Sequence, residues 1–203
     1  MIRSRLLRAV FCSALLAIAS HTFAANPIVW DESVNGDVAN VPTAPTQMNL
    51  TLGTNSFIAT MPGADLDFFT LHVPGGTVLS AIYNSVYDSA DQVSFIAIGP
   101  GTSMPAAVLS YDPTGLLGYT HFGPGVYDPS ENLLADLSLA QFGVPGFTPP
   151  LAAGAYTFWL QQESSVAEGY QLDFQVDAVP EPASAGLLLV GGLGAVICRG
   201  KRR

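Results

Sequence analysis

The chain has 203 residues and a formal net charge of −9, yet all seven Lys and Arg sit at its ends, at positions 3, 5, 8, 199, 201, 202 and 203. All sixteen Asp and Glu lie between Arg8 and Arg199. This excludes nucleic acid and anionic lipid as partners of the middle, because both are bound by neutralising phosphates with cationic side chains.

Both cysteines, Cys12 and Cys198, also fall in the end segments, so the middle folds without a disulfide. Roughly 155 residues remain between the ends, enough for one domain with its own core. With no Lys or Arg available for ion pairs, its stability must come from apolar burial and backbone hydrogen bonds.

Residues 1–24 have the layout of a secretory signal peptide. Arg3, Arg5 and Arg8 precede an apolar run from Ala9 to Ala19, and small residues surround a cut near Ala24 or Ala25. Export through the Sec machinery is therefore expected. Residues 25–47 are polar and interrupted by Pro27, Pro42 and Pro45. They read as an extended N-terminal arm with room for one edge strand.

From residue 48 to 178, short β-branched and aromatic runs alternate with Gly, Pro, Asn and Asp clusters, the pattern of an all-β domain. The expected strands are 48–52, 57–61, 67–73, 78–87, 93–98, 116–122, 133–140, 156–162 and 170–176. The last alternates most cleanly: Tyr170, Leu172, Phe174 and Val176 on one face, Gln171, Asp173, Gln175 and Asp177 on the other. Phe69, Leu71 and Val73 are expected to point inward, as are Tyr156, Phe158 and Leu160, with Trp159 on the opposite side, either exposed or plugging an end of the core. Nine strands at this spacing suggest two packed antiparallel sheets, a jelly-roll-like β-sandwich. Residues 99–115, 123–130 and 141–154 read as long loops, where binding usually resides. Glu131 to Ala140 also fits a short helix, since Leu133, Leu134 and Leu137 share helical spacing.

Residues 179–203 form three parts in order: Pro180-Glu181-Pro182, a span without charge from Ala183 to Cys198, and the basic end Arg199, Lys201, Arg202, Arg203. Sixteen helical residues reach roughly 24 Å, just short of a bilayer core. The two prolines set the start of a transmembrane helix over 183–198, and the basic cluster stops it on the cytoplasmic side.

This tail resembles the PEP-CTERM sorting signal of Gram-negative bacteria. The resemblance implies recognition by a membrane-embedded exosortase that supplies its own cysteine nucleophile, transient anchoring in the inner membrane, and then release to the cell surface or extracellular matrix. It also implies an association with exopolysaccharide and biofilm production. A plain single-pass anchor that is never cut is the alternative.

A second resemblance rests on Ala64-Asp65-Leu66-Asp67-Phe68-Phe69-Thr70-Leu71-His72-Val73-Pro74-Gly75-Gly76-Thr77, on Ala153-Gly154-Ala155-Tyr156-Thr157-Phe158-Trp159 and on Tyr170 to Phe174. It is similar to the bacterial pre-peptidase C-terminal type of β-sandwich. Relatives of that fold are non-catalytic accessory modules, some of which bind calcium or polymers.

Asp65 and Asp67 are the candidate calcium ligands, because hard cations take several carboxylates and carbonyls at once. Asp128, Glu131 and Asp136 form a second acidic stretch. No Asp-x-Asp-x-Asp-Gly loop is present, and solvated acids that keep an exported protein soluble are the plainer account. Trp159, with Tyr111, Tyr127, Phe142 and Phe147, either plugs the ends of the sandwich core, the plainer account, or stacks on a sugar ring, which makes a calcium-assisted carbohydrate-binding module the alternative function. A secreted hydrolase would need two facing carboxylates, and nothing marks such a pair. His72 and His121 lack zinc-ligand spacing, and the middle has no Gly-x-Ser-x-Gly elbow. No catalytic residue and no resident metal are therefore assigned, and the expected role is non-enzymatic.

Overall fold

The computed structural model describes residues 26–63, 65–88, 93–124, 131–162 and 168–179. The signal segment 1–24 and the tail from Pro180, with its expected helix 183–198, lie outside these residues. Among the described residues no helix is long and apolar enough to cross a membrane.

The chain is mostly β. Its elements are β1 (Ile28–Asp31), α1 (Glu32–Asn35), β2 (Thr46–Asn49), β3 (Gly53–Met61), β4 (Leu66–Asp88), β5 (Ser94–Pro100), a 3-10 turn (Ala106–Ser110), β6 (Gly118–Phe122), α2 (Leu133–Leu137), β7 (Leu151–Gln162) and β8 (Glu168–Ala178). They form one continuous mixed sheet in the order β1-β3-β8-β4-β7-β5-β6, with β2 paired to β4. Two pairings, β1 with β3 and β2 with β4, are parallel. Two separate antiparallel sheets were expected, and the difference arises in β4.

The expected strands 67–73 and 78–87 are a single strand that turns a corner. Pro74 has no N–H to give to a ladder, and Gly76 takes φ +76°, a backbone state that costs glycine little. The Thr77 hydroxyl donates to the Pro74 carbonyl at 2.8 Å across the bend. Before the corner β4 pairs with β7, as in Phe69 opposite Phe158. After it β4 pairs mainly with β8, as in Ile82 opposite Phe174.

The corner folds the sheet back on itself. Phe69, from before the bend, lies 4.5 Å from Phe57 of β3 and 6.3 Å from Phe174 of β8 between ring centroids, and stacks on Phe158 at 5.5 Å. Leu71, Leu79, Ile82, Ile96, Leu160, Leu172 and Val176 complete this main core. A smaller cluster of Phe68, Ala97, Met104, Val108, Leu116, Val144 and Trp159 lies on the other face of β4, β5 and β7, under the 99–117 and 141–147 segments. Thus Trp159, which could have been exposed or part of the core, is packed in this cluster and only 5% exposed.

Residues 133–140 are not a strand. Asn132 caps α2 by accepting from the Leu134 N–H, and its side chain also accepts from the Ile82 N–H, tying the helix to β4. Leu133, Leu134 and Leu137 are all buried. The end of α2 meets β6 at Gly118, where an added Cβ would fall 1.7 Å from the Leu137 carbonyl oxygen.

Gly118→Ala should therefore cost about 2–4 kcal/mol. Gly75→Ala, with open space around the added methyl and no positive φ, should lie within about 0.5 kcal/mol of the parent. Denaturant midpoints of the two variants check the pair.

Candidate functional site

The residues that carry the sorting expectation, Pro180, Glu181, Pro182, Arg199, Lys201, Arg202 and Arg203, lie outside the described residues. So do Tyr127 and Asp128.

Asp67 lies at the start of β4, two residues before Phe69, and shares its inward face at one end of the main core. Its carboxylate is fully buried. Oδ2 accepts a 2.5 Å hydrogen bond from the Tyr170 hydroxyl, while Oδ1 has no partner.

The N-terminal arm closes over this end. Asp31 caps α1 by accepting from the Ser33 N–H, and Gly36 ends the helix at φ +89°. The chain then crosses β4, where the Phe68 N–H donates to the Ala39 carbonyl at 2.8 Å. Glu32 is fixed by three donors: the Thr60 N–H at 2.7 Å, the Thr60 hydroxyl at 3.1 Å and the Val38 N–H at 3.2 Å. As a result, carboxylate oxygens of Glu32, Asp37 and Asp67 lie within 4.8 Å of one another.

Sequence reading singled out Asp67 but missed Glu32 and Asp37, which reach it only through the fold of the arm. Asp65 stands beside the group, its Oδ1 accepting from the Leu66 N–H.

Burial raises Asp67 to about 8, against the lowering effect of the Tyr170 hydrogen bond and with the aid of nearby Glu32, Asp65 and Asp37. Burial also raises Glu32, opposed by the Thr60 and Val38 donors, and raises Asp65, opposed by the Leu66 N–H. No Lys or Arg occurs anywhere in residues 9–198 to offset these charges.

The folded protein holds a proton on Asp67 that the unfolded chain has released above its ordinary carboxylate value. This contribution is complete below about pH 4 and is lost as pH rises through about 8. In chelating buffer, stability should fall over that window by up to about 1.4 kcal/mol per pH unit. Asp67→Asn should flatten the slope in urea titrations run at a series of pH values.

The second concavity is a groove on the face opposite the main core, lined by Phe95, Val108, Tyr111, Pro113, Tyr119, Phe142 and Trp159 among others. Its volume of about 230 Å³ is below the roughly 300–1,000 Å³ of pockets for drug-sized ligands, so it suits a single ring. Trp159 forms the floor, stacked on Phe68 at 5.7 Å and edge-on to Phe95 at 4.8 Å, with its indole N–H unpartnered. Tyr111 and Phe142 stand 82% and 88% exposed. Phe147 instead packs against the main core.

The remaining candidates do not converge. His72 shares a hydrogen bond with the Gln47 side chain at 2.9 Å, and His121 sits edge-on to Phe95 at 5.9 Å. Asp136 belongs to α2 and stands outside the group formed by Glu32, Asp37 and Asp67.

No family model and no curated protein matches the chain. Among solved structures it is similar to Salmonella Typhimurium PliG, a periplasmic lysozyme inhibitor of g-type lysozyme. The identity is 16% and the TM-score 0.30, over 65% of this chain and 98% of that one. It is also similar to the Aeromonas hydrophila PliG, at 11% identity and a TM-score of 0.32, over 65% of this chain and 96% of that one. Likeness at this level assigns no function.

Proposed function

We propose that the chain is an exported, non-enzymatic surface or matrix protein, sorted by an exosortase through Pro180-Glu181-Pro182 and the apolar, then basic, tail. The observation that carries this reading is the partition of charge. Every Lys and Arg sits in the two end segments, where a signal peptide and a membrane stop need them, and the middle carries only acids and His. An acidic domain without disulfides suits a hydrated, anionic matrix, where like charge keeps copies apart.

In this reading the folded sheet acts as the β-sandwich of the pre-peptidase C-terminal type. The aromatic contacts of Phe69 across the two halves support a sheet closed on one core, as that reading requires. The domain is the cargo, and the tail is its address.

Intact-mass measurement of the exported protein from strains with and without the sorting enzyme tests the proposal. The expected result is loss of everything beyond the Pro180 region only where the enzyme is present. Equal full-length masses in both strains would favour an uncut anchor.

One observation favours a carbohydrate-binding role as the second reading: Tyr111 and Phe142 are exposed beside a groove floored by Trp159. Trp159→Ala would remove core packing as well as any ligand contact, so Phe142→Ala is the cleaner probe. Glycan-array signals that vanish in Phe142→Ala at unchanged melting temperature are the expected outcome of this reading, and a blank array for the parent protein would remove it.

A further inference from the structure

We propose that Glu32, Asp37 and Asp67 form a calcium site that clamps the N-terminal arm onto the start of β4. Two independent observations meet here. The first is geometric: one carboxylate oxygen from each residue lies within 4.8 Å of the others. At that spacing a common centre lies within about 2.8 Å of each oxygen, a few tenths of an ångström beyond a Ca–O bond of 2.3–2.6 Å, a gap that a small side-chain adjustment of the exposed Asp37 closes.

The second concerns Asp67 by itself. Its side chain is fully buried and its Oδ1 has no hydrogen-bond donor, although a buried carboxylate oxygen ordinarily has one. Tyr170 serves only Oδ2, which leaves Oδ1 without a donor in a carboxylate that joins two others.

The donor set selects the class of ion. Three carboxylates with no His or Cys among them suit a hard divalent cation rather than zinc or copper. Calcium fits best because Asp37 is exposed and leaves the outer side open to waters, as a six- to eight-coordinate ion requires. Glu32 is held in place before any ion arrives, by the Thr60 and Val38 N–H groups. Asp65, close by, adds negative potential without belonging to the group.

No Lys or Arg of the middle competes for the place, since residues 9–198 contain neither. The site joins two segments far apart in sequence, so binding would fasten the arm to the sheet. With only three carboxylates and an open side, affinity in the range of about 10⁻⁴–10⁻³ M is expected, as for extracellular modules. The inference does not depend on how the tail is processed.

The test uses the full-length protein in mild detergent, freed of metal by chelation, near neutral pH. About 10 mM CaCl₂ should raise the melting temperature by about 3–6 °C, with a much smaller response to MgCl₂. Amide exchange of residues 28–39 should slow in parallel. Asp37→Asn, an exposed change that leaves packing intact, should weaken calcium binding by calorimetry at least tenfold. Asp67→Asn should fold at least as well as the metal-free parent and lose the calcium response. Asp112→Asn, in the aromatic groove, should keep it. No calcium-dependent shift in the parent, or a shift that persists in both Asp37→Asn and Asp67→Asn, would overturn the site.

Discussion

The fold depends on one strand serving two halves of a sheet. β4 runs through the corner at Pro74 to Gly76 and gives its first half to β2 and β7 and its second half to β8. Without that bend, Phe57, Phe69, Phe158 and Phe174 could not meet, because they come from different parts of the ladder. Each is fully buried. Burying an aromatic side chain of this size contributes on the order of 1.5–3 kcal/mol, and the offset and edge-on contacts add to it. In a domain that lacks opposite charges to pair, this aromatic junction takes the part that ion pairs and disulfides play elsewhere.

The sequence made some of this legible and hid the rest for identifiable reasons. The alternation of Tyr170, Leu172, Phe174 and Val176 against Gln171, Asp173 and Gln175 matches the burial of β8. Phe69, Leu71 and Val73 likewise point into the core. These were readable because a half-wet strand declares its period locally. The Pro74-Gly75 break looked like the end of a strand, since its local chemistry is that of a turn; only the pairing partners on either side reveal a corner. Trp159 could be read either way, because alternation separates two faces of a strand and does not say whether the second face is wet. Here the 99–117 and 141–147 segments cover it. The 133–140 segment was ambiguous, and the Asn132 cap decided for a helix.

The acidic group shows the same division. Asp67 stood out next to Asp65, but Glu32 and Asp37 lie in an arm whose order comes from parallel edge pairing and from the contact of Ala39 with Phe68, neither of which has a local signature. The Asp31 cap and the Gly36 stop of α1 were present in the sequence and could have placed Glu32 in a fixed turn. Nothing in the sequence could have placed that turn beside Asp67. The burial of Asp67 is also what separates this group from the other acids, since Asp112 and Asp177, held by hydrogen bonds at the surface, are displaced in the opposite direction.

The position of β8 has a mechanical consequence. It is the last strand among the described residues, and it lies between β3 on one side and the far half of β4 on the other, antiparallel to both. A pull applied through Val179 would run along the axis of β8 and load both ladders in shear, many hydrogen bonds sharing the force at once, rather than peeling them one by one. Loaded at that end, the protein would resist tearing at β8, and its weakest points would be the short outer strands far from the load.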